Sequence, residues 1–541
     1  MAGSTHRLIG SIGSPQDEQC QHDEQHEQSG QQEHETPTPN YHRDYEKGKE
    51  RKKRTYRQVA TLHLLLIAYA LATLKERIAW RRGGLPMRYG GLITGSGLLM
   101  FASVASIPLG PWTNAPLREL LAVMSGAAGL ACLMGSCLVV PVRAAWRRWY
   151  QRLRPLTLAL ALLLSVGTVV TFAGGVELIT ILPAPRTYFT DILAFSHMDA
   201  QLLLAGQNPY TASATSFQHA LARFSDASAT PVRGPVFGKG YTQPDPAYVY
   251  TVQRQYVQTQ GHGHMQGAFD PQTLHSYPAL SFLLYAPLLR VGIHNILLLH
   301  IIVYWCLFAW LVWLAPVGWR HWGALAALAA MPTLAASLLV SDEVIVIALI
   351  LVAWHWREQR YLSSFLLGMA CAYKQYAWFF LPFFALDILL SYGMRETFWR
   401  GLLTFSSFLL PNLPFLIANP HAWVQSMLLP MNGSFFANGM GIIALSIGQI
   451  VPYAPPLLYA SLEVLALLAA LVAMARWRSR LGDGVLVLAL LPLFFAFRSL
   501  PDYFAFTPWL ALYAVNRLYA RRSICAAKGD STTIAPATQE S

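Results

Sequence analysis

The sequence predicts an all-α fold, a polytopic bundle of about twelve transmembrane helices with a large outer loop after the third. The 541 residues are 54% hydrophobic and only 13% charged, whereas average soluble domains carry roughly 25% charged residues. Apolar windows of about 17–25 residues, long enough to cross a bilayer as a helix, recur along most of the chain. The basic residues behind the net charge of +12 gather beside these windows. They therefore indicate membrane orientation and not a nucleic-acid partner.

The amino-terminal region is polar. Residues 1–57 are rich in Gln, Glu, His and Asp with few apolar residues, so we expect a disordered cytoplasmic tail. The tail ends in a basic run at 47–54 that suits the cytoplasmic membrane face. The apolar segment 58–74 is marginal in length for a span and basic residues flank both its ends. We therefore predict an interfacial helix and a basic loop over 58–90.

Twelve spans are predicted in the rest of the chain, three within residues 91–183 and nine within residues 296–520. Their ranges are 92–110, 118–141, 157–180, 296–316, 323–340, 344–356, 362–373, 376–391, 402–418, 458–475, 484–498 and 503–519. Eight arginines fall in connections on one side of this topology, as expected for cytoplasmic loops: Arg320, Arg357, Arg360, Arg395, Arg400, Arg476, Arg478 and Arg480. We therefore predict a multi-pass plasma (inner) membrane protein, surrounded by membrane lipids, with a cytoplasmic amino terminus and a cytoplasmic tail at 521–541.

A polar stretch from Ala184 to Ser276 separates the third and fourth predicted spans. Loops of this length are uncommon and usually functional, so we predict a large extracytoplasmic catalytic loop with juxtamembrane helices over 184–295. A helix is expected at 192–205, stopped by the turn sequence Gly206-Gln207-Asn208-Pro209-Tyr210. Tyr277-Pro278 then opens a helix at 278–291 that is too short to span, and we expect it at the outer surface.

Two carboxylates at the start of this loop are candidates for chemistry. Asp191 lies just beyond the third predicted span, where a carboxylate can act as a general base on an acceptor hydroxyl. A cap or turn role at the start of the helix 192–205 is the alternative, and the pattern leaves both open. Asp199 is the second catalytic candidate, because it lies two helical turns further on and can share a face with Asp191.

Charged residues also interrupt apolar segments at connections predicted to face outwards, where charges are costly and usually functional. Lys374 is a compact donor for a phosphate, with snorkelling to the interface as the alternative. Arg498 can grip a phosphate with two hydrogen bonds. Asp342 and Glu343 could hold a sugar hydroxyl or help a metal bind, with capping of the following helix as the alternative.

No cofactor is predicted, although a divalent metal is left open. His262 and His264, with His275 nearby, lack the paired carboxylates or cysteines that would complete a metal site. The histidines of the tail could bind metal, but the composition of the tail favours a solvated low-complexity segment. The six cysteines are scattered, and no pair has metal-ligand spacing. We therefore interpret the His-rich segments as solvated, flexible chain.

Several of these segments together resemble the GT-C glycosyltransferases, and most closely the polyprenol-phosphate-mannose-dependent α-mannosyltransferase type. The resemblance covers roughly residues 157–519. It is carried by Asp191, the Gly206–Tyr210 turn, Tyr277-Pro278 and the short helix ending at Pro287, Gly368 to Pro382 with Lys374, and Arg498-Ser499-Leu500-Pro501-Asp502-Tyr503-Phe504.

The resemblance implies a transferase that moves mannose, or another hexose or pentose, from a polyprenyl-phosphate donor. The acceptor would be a hydroxyl of a glycan or a lipid at the outer membrane face. Carried onto this chain, the catalytic base is Asp191. Lys374 and Arg498, aided by His275, would hold the lipid phosphate, and Tyr277 is placed with them among the substrate-binding residues.

The chain also departs from the family pattern. The family often has two prolines after the tyrosine, whereas here Ala279 follows Pro278, and the loop between Tyr210 and Tyr277 is longer than expected. Donor sugar and acceptor therefore stay open. The alternatives are a membrane transporter or lipid flippase, or a surface-glycan polymerase or ligase. Against a transporter, the chain shows no internal repeat.

Overall fold

The computed structural model describes residues 85–106, 115–138, 191–224, 229–260, 275–340, 342–431 and 433–531, with short pieces at 155–157, 159–160, 163, 188 and 269. The predictions for the tail 1–57, for the segment 58–74, for His262 and His264, and for most of the span 157–180 lie outside these residues.

The described part of the chain is mostly helical. The helices are α1 (Leu85–Ser106), α2 (Ala115–Cys137), α3 (Asp191–Leu204), α4 (Ser213–Arg223), α5 (Pro246–Gln258), α6 (Leu280–Leu283), α7 (Ala286–Arg290), α8 (Leu297–Leu314), α9 (Arg320–Val340), α10 (Glu343–His355), α11 (Arg360–Tyr373), α12 (Leu381–Tyr392), α13 (Met394–Ala418), α14 (Pro420–Leu428), α15 (Ile443–Ile447), α16 (Pro456–Leu481), α17 (Val485–Leu488), α18 (Leu491–Phe494), α19 (Pro501–Ala505) and α20 (Thr507–Ser531). Short 3₁₀ turns lie at Val317–Trp319, Gln375–Phe380, Leu429–Met431 and Gly482–Gly484. Two short strands, β1 (Asn438–Gly439) and β2 (Arg498–Ser499), pair in parallel.

Six helical stretches in these residues are long and apolar enough to cross a membrane, which indicates a multi-pass integral membrane protein. They are Met87–Ser106, Pro116–Cys137, Leu297–Leu314, Gln375–Tyr392, Met394–Ala418 and Pro456–Leu488. The predicted spans 344–356, 362–373 and 484–498 correspond to shorter helices, whereas 323–340 and 503–519 fall in α9 and α20, which have 21 and 25 residues. Helix α10 has 13 residues, about 20 Å at 1.5 Å per residue, against a hydrocarbon core of roughly 30 Å. The count of twelve spans and the cytoplasmic termini therefore stay predictions.

The local structure predicted for the start of the long loop is present. Helix α3 covers Asp191–Leu204, one residue earlier at each end than predicted. Gly206 follows it with a φ of +77°, a backbone conformation that glycine adopts at little cost. The Gln207 N–H donates to the Leu202 carbonyl at 2.9 Å, and the Gly206 N–H donates to the Leu203 carbonyl at 3.0 Å. These two hydrogen bonds form the Schellman motif that ends a helix.

The returning end of the loop also contains the short helix predicted at 278–291. It is present as α6 and α7, two short helices that pack against α3. This packing buries an apolar cluster between the two ends of the loop, with Leu193 and Phe282 fully buried. The two ends of the loop are therefore joined by a shared core.

A network of opposite charges joins α10, α12 and α16. The Arg357 guanidinium lies 2.9 Å from Asp483 and 3.1 Å from Asp387. Arg478 reaches the other oxygen of Asp387 at 2.7 Å, and the Trp354 indole N–H donates to Asp483 at 3.0 Å. Two arginines that the predicted topology places on the same side thus share one cluster.

Candidate functional site

A buried ion group stands at the centre of the site. Asp342 directly precedes α10, Glu343 is the first residue of that helix, and Lys374 follows α11. The Lys374 Nζ lies 2.6 Å from Asp342 Oδ1 and 2.5 Å from Glu343 Oε1. Lys374, Asp342 and Glu343 are 6%, 0% and 2% exposed, respectively. Snorkelling of Lys374 is therefore wrong, and Asp342 forms no side-chain cap with α10.

The electrostatics of this group follow from its burial. Burial alone would lower the pKa of the Lys374 ammonium, but the charges of Asp342 and Glu343 raise this pKa well above its usual value. A further carboxyl group, Asp502, lies within electrostatic range; burial raises its pKa, Lys374 opposes the rise and Asp342 adds to it. Lys374 is therefore a charged counter-ion within a surplus of carboxyl groups.

This arrangement bears on the predicted role of Lys374 as a phosphate ligand. Its ammonium already donates to two carboxylates, and their negative charge disfavours a phosphate at the same point. The side chain is thus suited to holding Asp342 and Glu343 in place. Asp342 Oδ2 is buried and accepts no hydrogen bond from the residues that the structure describes, but Asp342 is 0% exposed, so the predicted contact with a sugar hydroxyl gains no support from this placement.

Tyr277 links the ion group to the long loop. The Lys374 ammonium lies 5.5 Å from the centre of the Tyr277 ring, within the range of a cation–π contact. Burial raises the pKa of the Tyr277 phenol; Lys374 opposes this rise, and the charges of Asp191 and Asp342 add to it. Tyr277 thus lies within electrostatic range of both Asp191 and the ion group.

Asp191 begins α3, and backbone groups hold its carboxylate. Its Oδ1 accepts from the Ile192 N–H at 2.9 Å, and its Oδ2 accepts from the Thr230 N–H at 2.7 Å. Each oxygen keeps a second lone pair. The two interpretations of Asp191 are therefore compatible, because a carboxylate fixed at a helix start can still take a proton.

Arg498 lies in β2, whose pairing with β1 aligns it with Asn438. Its guanidinium carbon lies 4.4 Å from the centre of the Phe435 ring, and its Nε has no hydrogen-bond partner among the described residues. Arg498 and Lys374 both lie within electrostatic range of Tyr503. Arg498 is therefore a cation near the ion group with an unused donor, which suits an anionic ligand better than Lys374.

The strand pair that carries Arg498 depends on one glycine. Gly439 has a φ of +130°, and a Cβ at this position would lie 2.1 Å from the Ser499 carbonyl oxygen. We expect Gly439→Ala to separate β1 from β2, destabilise the protein by about 1–3 kcal/mol and increase phenylglyoxal modification of Arg498. Gly401→Ala is the control, because nothing lies within 4 Å of its Cβ position. Equal melting midpoints and modification rates for both variants would contradict this expectation.

Asp199 and His275 lie apart from the ion group. Asp199 is eight residues beyond Asp191 in the same helix, about 12 Å along its axis. Its Oδ2 lies 2.6 Å from His275 Nδ1, and the side chains are 1% and 2% exposed. Neither residue bonds to Lys374, Asp342 or Arg498 in the described structure. Their predicted roles in catalysis and phosphate binding gain no support from this placement.

The described side chains bear on the divalent metal that the sequence left open. Within the described ranges, no group of three or more His, Cys, Asp or Glu side chains is arranged to hold a metal ion. At the two acidic residues proposed to help a metal bind, the Lys374 ammonium lies between the carboxylates.

Sequence reasoning missed a hydrogen-bonded chain beside the ion group. The Tyr285 hydroxyl lies 2.6 Å from the Tyr373 hydroxyl and 2.7 Å from His300 Nε2, and all three residues are fully buried. Tyr373 directly precedes Lys374, and His300 lies within an apolar helix. A histidine in such a helix was the available signal. Asp502 closes a connection predicted to face outwards and belongs to a motif that carries the resemblance, but it was not among the predicted site residues.

No protein-family model, curated protein or solved structure matches this chain. Function is therefore inferred from the site and from the resemblance of its motifs.

Proposed function

We propose that the protein is an integral-membrane glycosyltransferase that moves a sugar, mannose or another hexose or pentose, from a polyprenyl-phosphate donor to a hydroxyl acceptor at the outer membrane face. One observation carries the proposal: polar groups from separate segments converge beside apolar helices. Lys374 contacts Asp342 and Glu343 directly, Tyr277 packs on Lys374, and Asp191 is within electrostatic range of Tyr277.

The convergence suggests a division of tasks. Arg498 binds the donor phosphate with its guanidinium, whose Nε has no hydrogen-bond partner among the described residues. Asp191 takes the proton of the acceptor hydroxyl. The acceptor oxygen bonds to the anomeric carbon as the bond from that carbon to the phosphate oxygen breaks. Phosphate leaves with the electron pair, and a fixed cation stabilises its charge.

The proposed topology has twelve spans with both termini in the cytoplasm of a plasma (inner) membrane. The charge network of Arg357 and Arg478 supports it, because arginines predicted on the cytoplasmic side share one cluster. The ion group at Lys374 belongs to connections that this topology places on the opposite side.

The direct test is sugar transfer by the purified full chain in lipid nanodiscs. We expect transfer of label from one member of a panel of radiolabelled polyprenyl-phosphate sugars to a glycan or lipid acceptor. Arg498→Met should raise the donor KM about 10- to 100-fold, the loss of one or two charge-assisted hydrogen bonds. Arg395→Met is the matched control, since Arg395 is exposed and lies at the start of the membrane helix α13.

The other outcomes of this test identify the alternatives. Transfer only from a lipid-diphosphate oligosaccharide would indicate a glycan polymerase or ligase. Movement of labelled lipid across vesicle membranes without glycosidic bond formation would indicate a flippase or transporter. Equal donor KM values for Arg498→Met and Arg395→Met would overturn the assignment of Arg498.

A further inference from the structure

A buried contact joins the two ends of the long loop. Asp199 lies in α3 near the start of the loop, and His275 lies just before α6 at its end. Asp199 Oδ2 lies 2.6 Å from His275 Nδ1, a contact that is an ion pair when the imidazole is protonated, and both side chains are almost completely buried. A buried carboxylate is costly unless a partner compensates its charge. His275 is the ionisable group that meets this carboxylate.

The surroundings of His275 exclude a nucleophilic role for Ser281, which lies on the side of the imidazole ring away from Asp199. The Ser281 hydroxyl lies 3.4 Å from His275 Nε2, so serine, histidine and aspartate follow one another as in a hydrolase triad. Ser281 is 0% exposed, and the rings of Tyr210 and Phe282 each lie 5.3 Å from the histidine ring, edge to face. No substrate can reach this serine, so the group is suited to holding structure.

What the group holds is the segment from His275 to Ala279, here named the Tyr277 segment. The Tyr210 hydroxyl donates to the Tyr277 carbonyl at 2.8 Å. The side-chain amide of Gln375, the residue after Lys374, donates to the Ser276 carbonyl at 2.6 Å. Neighbours on both sides thus fix the backbone of the segment, and the Tyr277 ring packs on the Lys374 ammonium.

The same contact bears on Asp191. Asp199 and Asp191 belong to one helix, two turns apart, so the helix transmits the position of one to the other. His275 and Tyr277 are separated by a single residue. A shift of the Asp199–His275 contact therefore changes the placement of Asp191 relative to Tyr277.

We infer that Asp199 and His275 are positioning residues that lock the Tyr277 segment onto α3 and thereby set the placement of Tyr277 against Asp191. Their effect on turnover rests on the proposed function. Their effect on geometry does not, because it concerns only the contact between the two ends of the loop.

The geometric arm of the test measures a distance and needs no activity. Nitroxide labels at Leu204, 44% exposed, and Val291, 72% exposed, report on α3 and on the chain after α7. We expect a narrow distance distribution in the otherwise native chain and a distribution at least twice as wide with Asp199→Asn. Asp245→Asn is the control, because this exposed loop carboxylate caps α5. An unchanged distribution with Asp199→Asn would overturn the inference.

The kinetic arm separates positioning from simple loss of structure. We expect Asp199→Asn to lower turnover at least tenfold per folded molecule, with the donor KM within about twofold of the wild-type value. The exchanged pair, Asp199→His with His275→Asp, should recover at least a third of the lost turnover. If Asp199→Asn does not fold, the exchanged pair is compared directly with the wild-type chain in its place. Turnover that falls only with the folded fraction would contradict positioning. A wild-type chain without transfer activity would refute the proposed function and leave the distance arm to decide this inference.

Discussion

Asp191→Asn is expected to lower sugar transfer by about 10²- to 10⁴-fold, the usual contribution of a positioned general base. The asparagine amide retains one acceptor oxygen but loses the second, so only one of the backbone hydrogen bonds from Ile192 and Thr230 persists. The expected loss of stability is therefore modest, about 1 kcal/mol. Turnover at saturating donor, measured beside the melting midpoint, separates the two effects.

The matched control for this variant is Asp245→Asn. Asp245 lies in the same loop and accepts from the N–H groups of Ala247 and Tyr248 at the start of α5, a task that asparagine performs equally well. We expect this control to keep full activity. Full activity in Asp191→Asn as well would refute the assignment of Asp191 as the base.

Lys374→Met is expected to cost about 3–5 kcal/mol of stability, the usual consequence of leaving buried charges without their partner. Asp342 and Glu343 are 0% and 2% exposed, so water cannot take the place of the missing ammonium. Chemical denaturation of the purified protein in nanodiscs, followed by intrinsic fluorescence, provides the measurement. Lys239→Met replaces an exposed lysine of the same chain and should leave stability unchanged.

A compensating variant sharpens this prediction. Lys374→Met combined with Asp342→Asn and Glu343→Gln removes all three charges together, so most of the lost stability should return. If the single variant were as stable as the triple variant, Lys374 would not be the counter-ion that we describe.

Local patterns predicted the local structure well. The helix from Asp191 to Leu204 and its glycine stop at Gly206 depend on neighbours within a few residues, which the sequence displays directly. The membrane character follows from composition for the same reason. The span count was harder, because α10 and the broken segment formed by α17 and α18 are stabilised by neighbouring helices more than by their own length.

The partners of the charged residues were beyond the sequence pattern. Lys374 was expected to meet a phosphate, but it meets two carboxylates about thirty residues away, and that contact arises only when α10 and α11 pack together. Asp199 and His275 pair for a similar reason, since the loop between them must close first. The spacing along one helix placed Asp199 on a shared face with Asp191. It carries no information about which residue of another segment, here His275, packs against that face.

The burial of the ion group also decides which charges respond to dissolved salt. Ions in solution weaken interactions between exposed charges beyond a Debye length of about 8 Å at physiological strength, and they weaken buried pairs much less. The contacts of Lys374 lie out of reach of these ions, whereas Arg498 is only partly buried. A change in ionic strength would thus change the electrostatic interactions of Arg498. The arrangement of Asp342 and Glu343 would stay the same from low to high salt concentration.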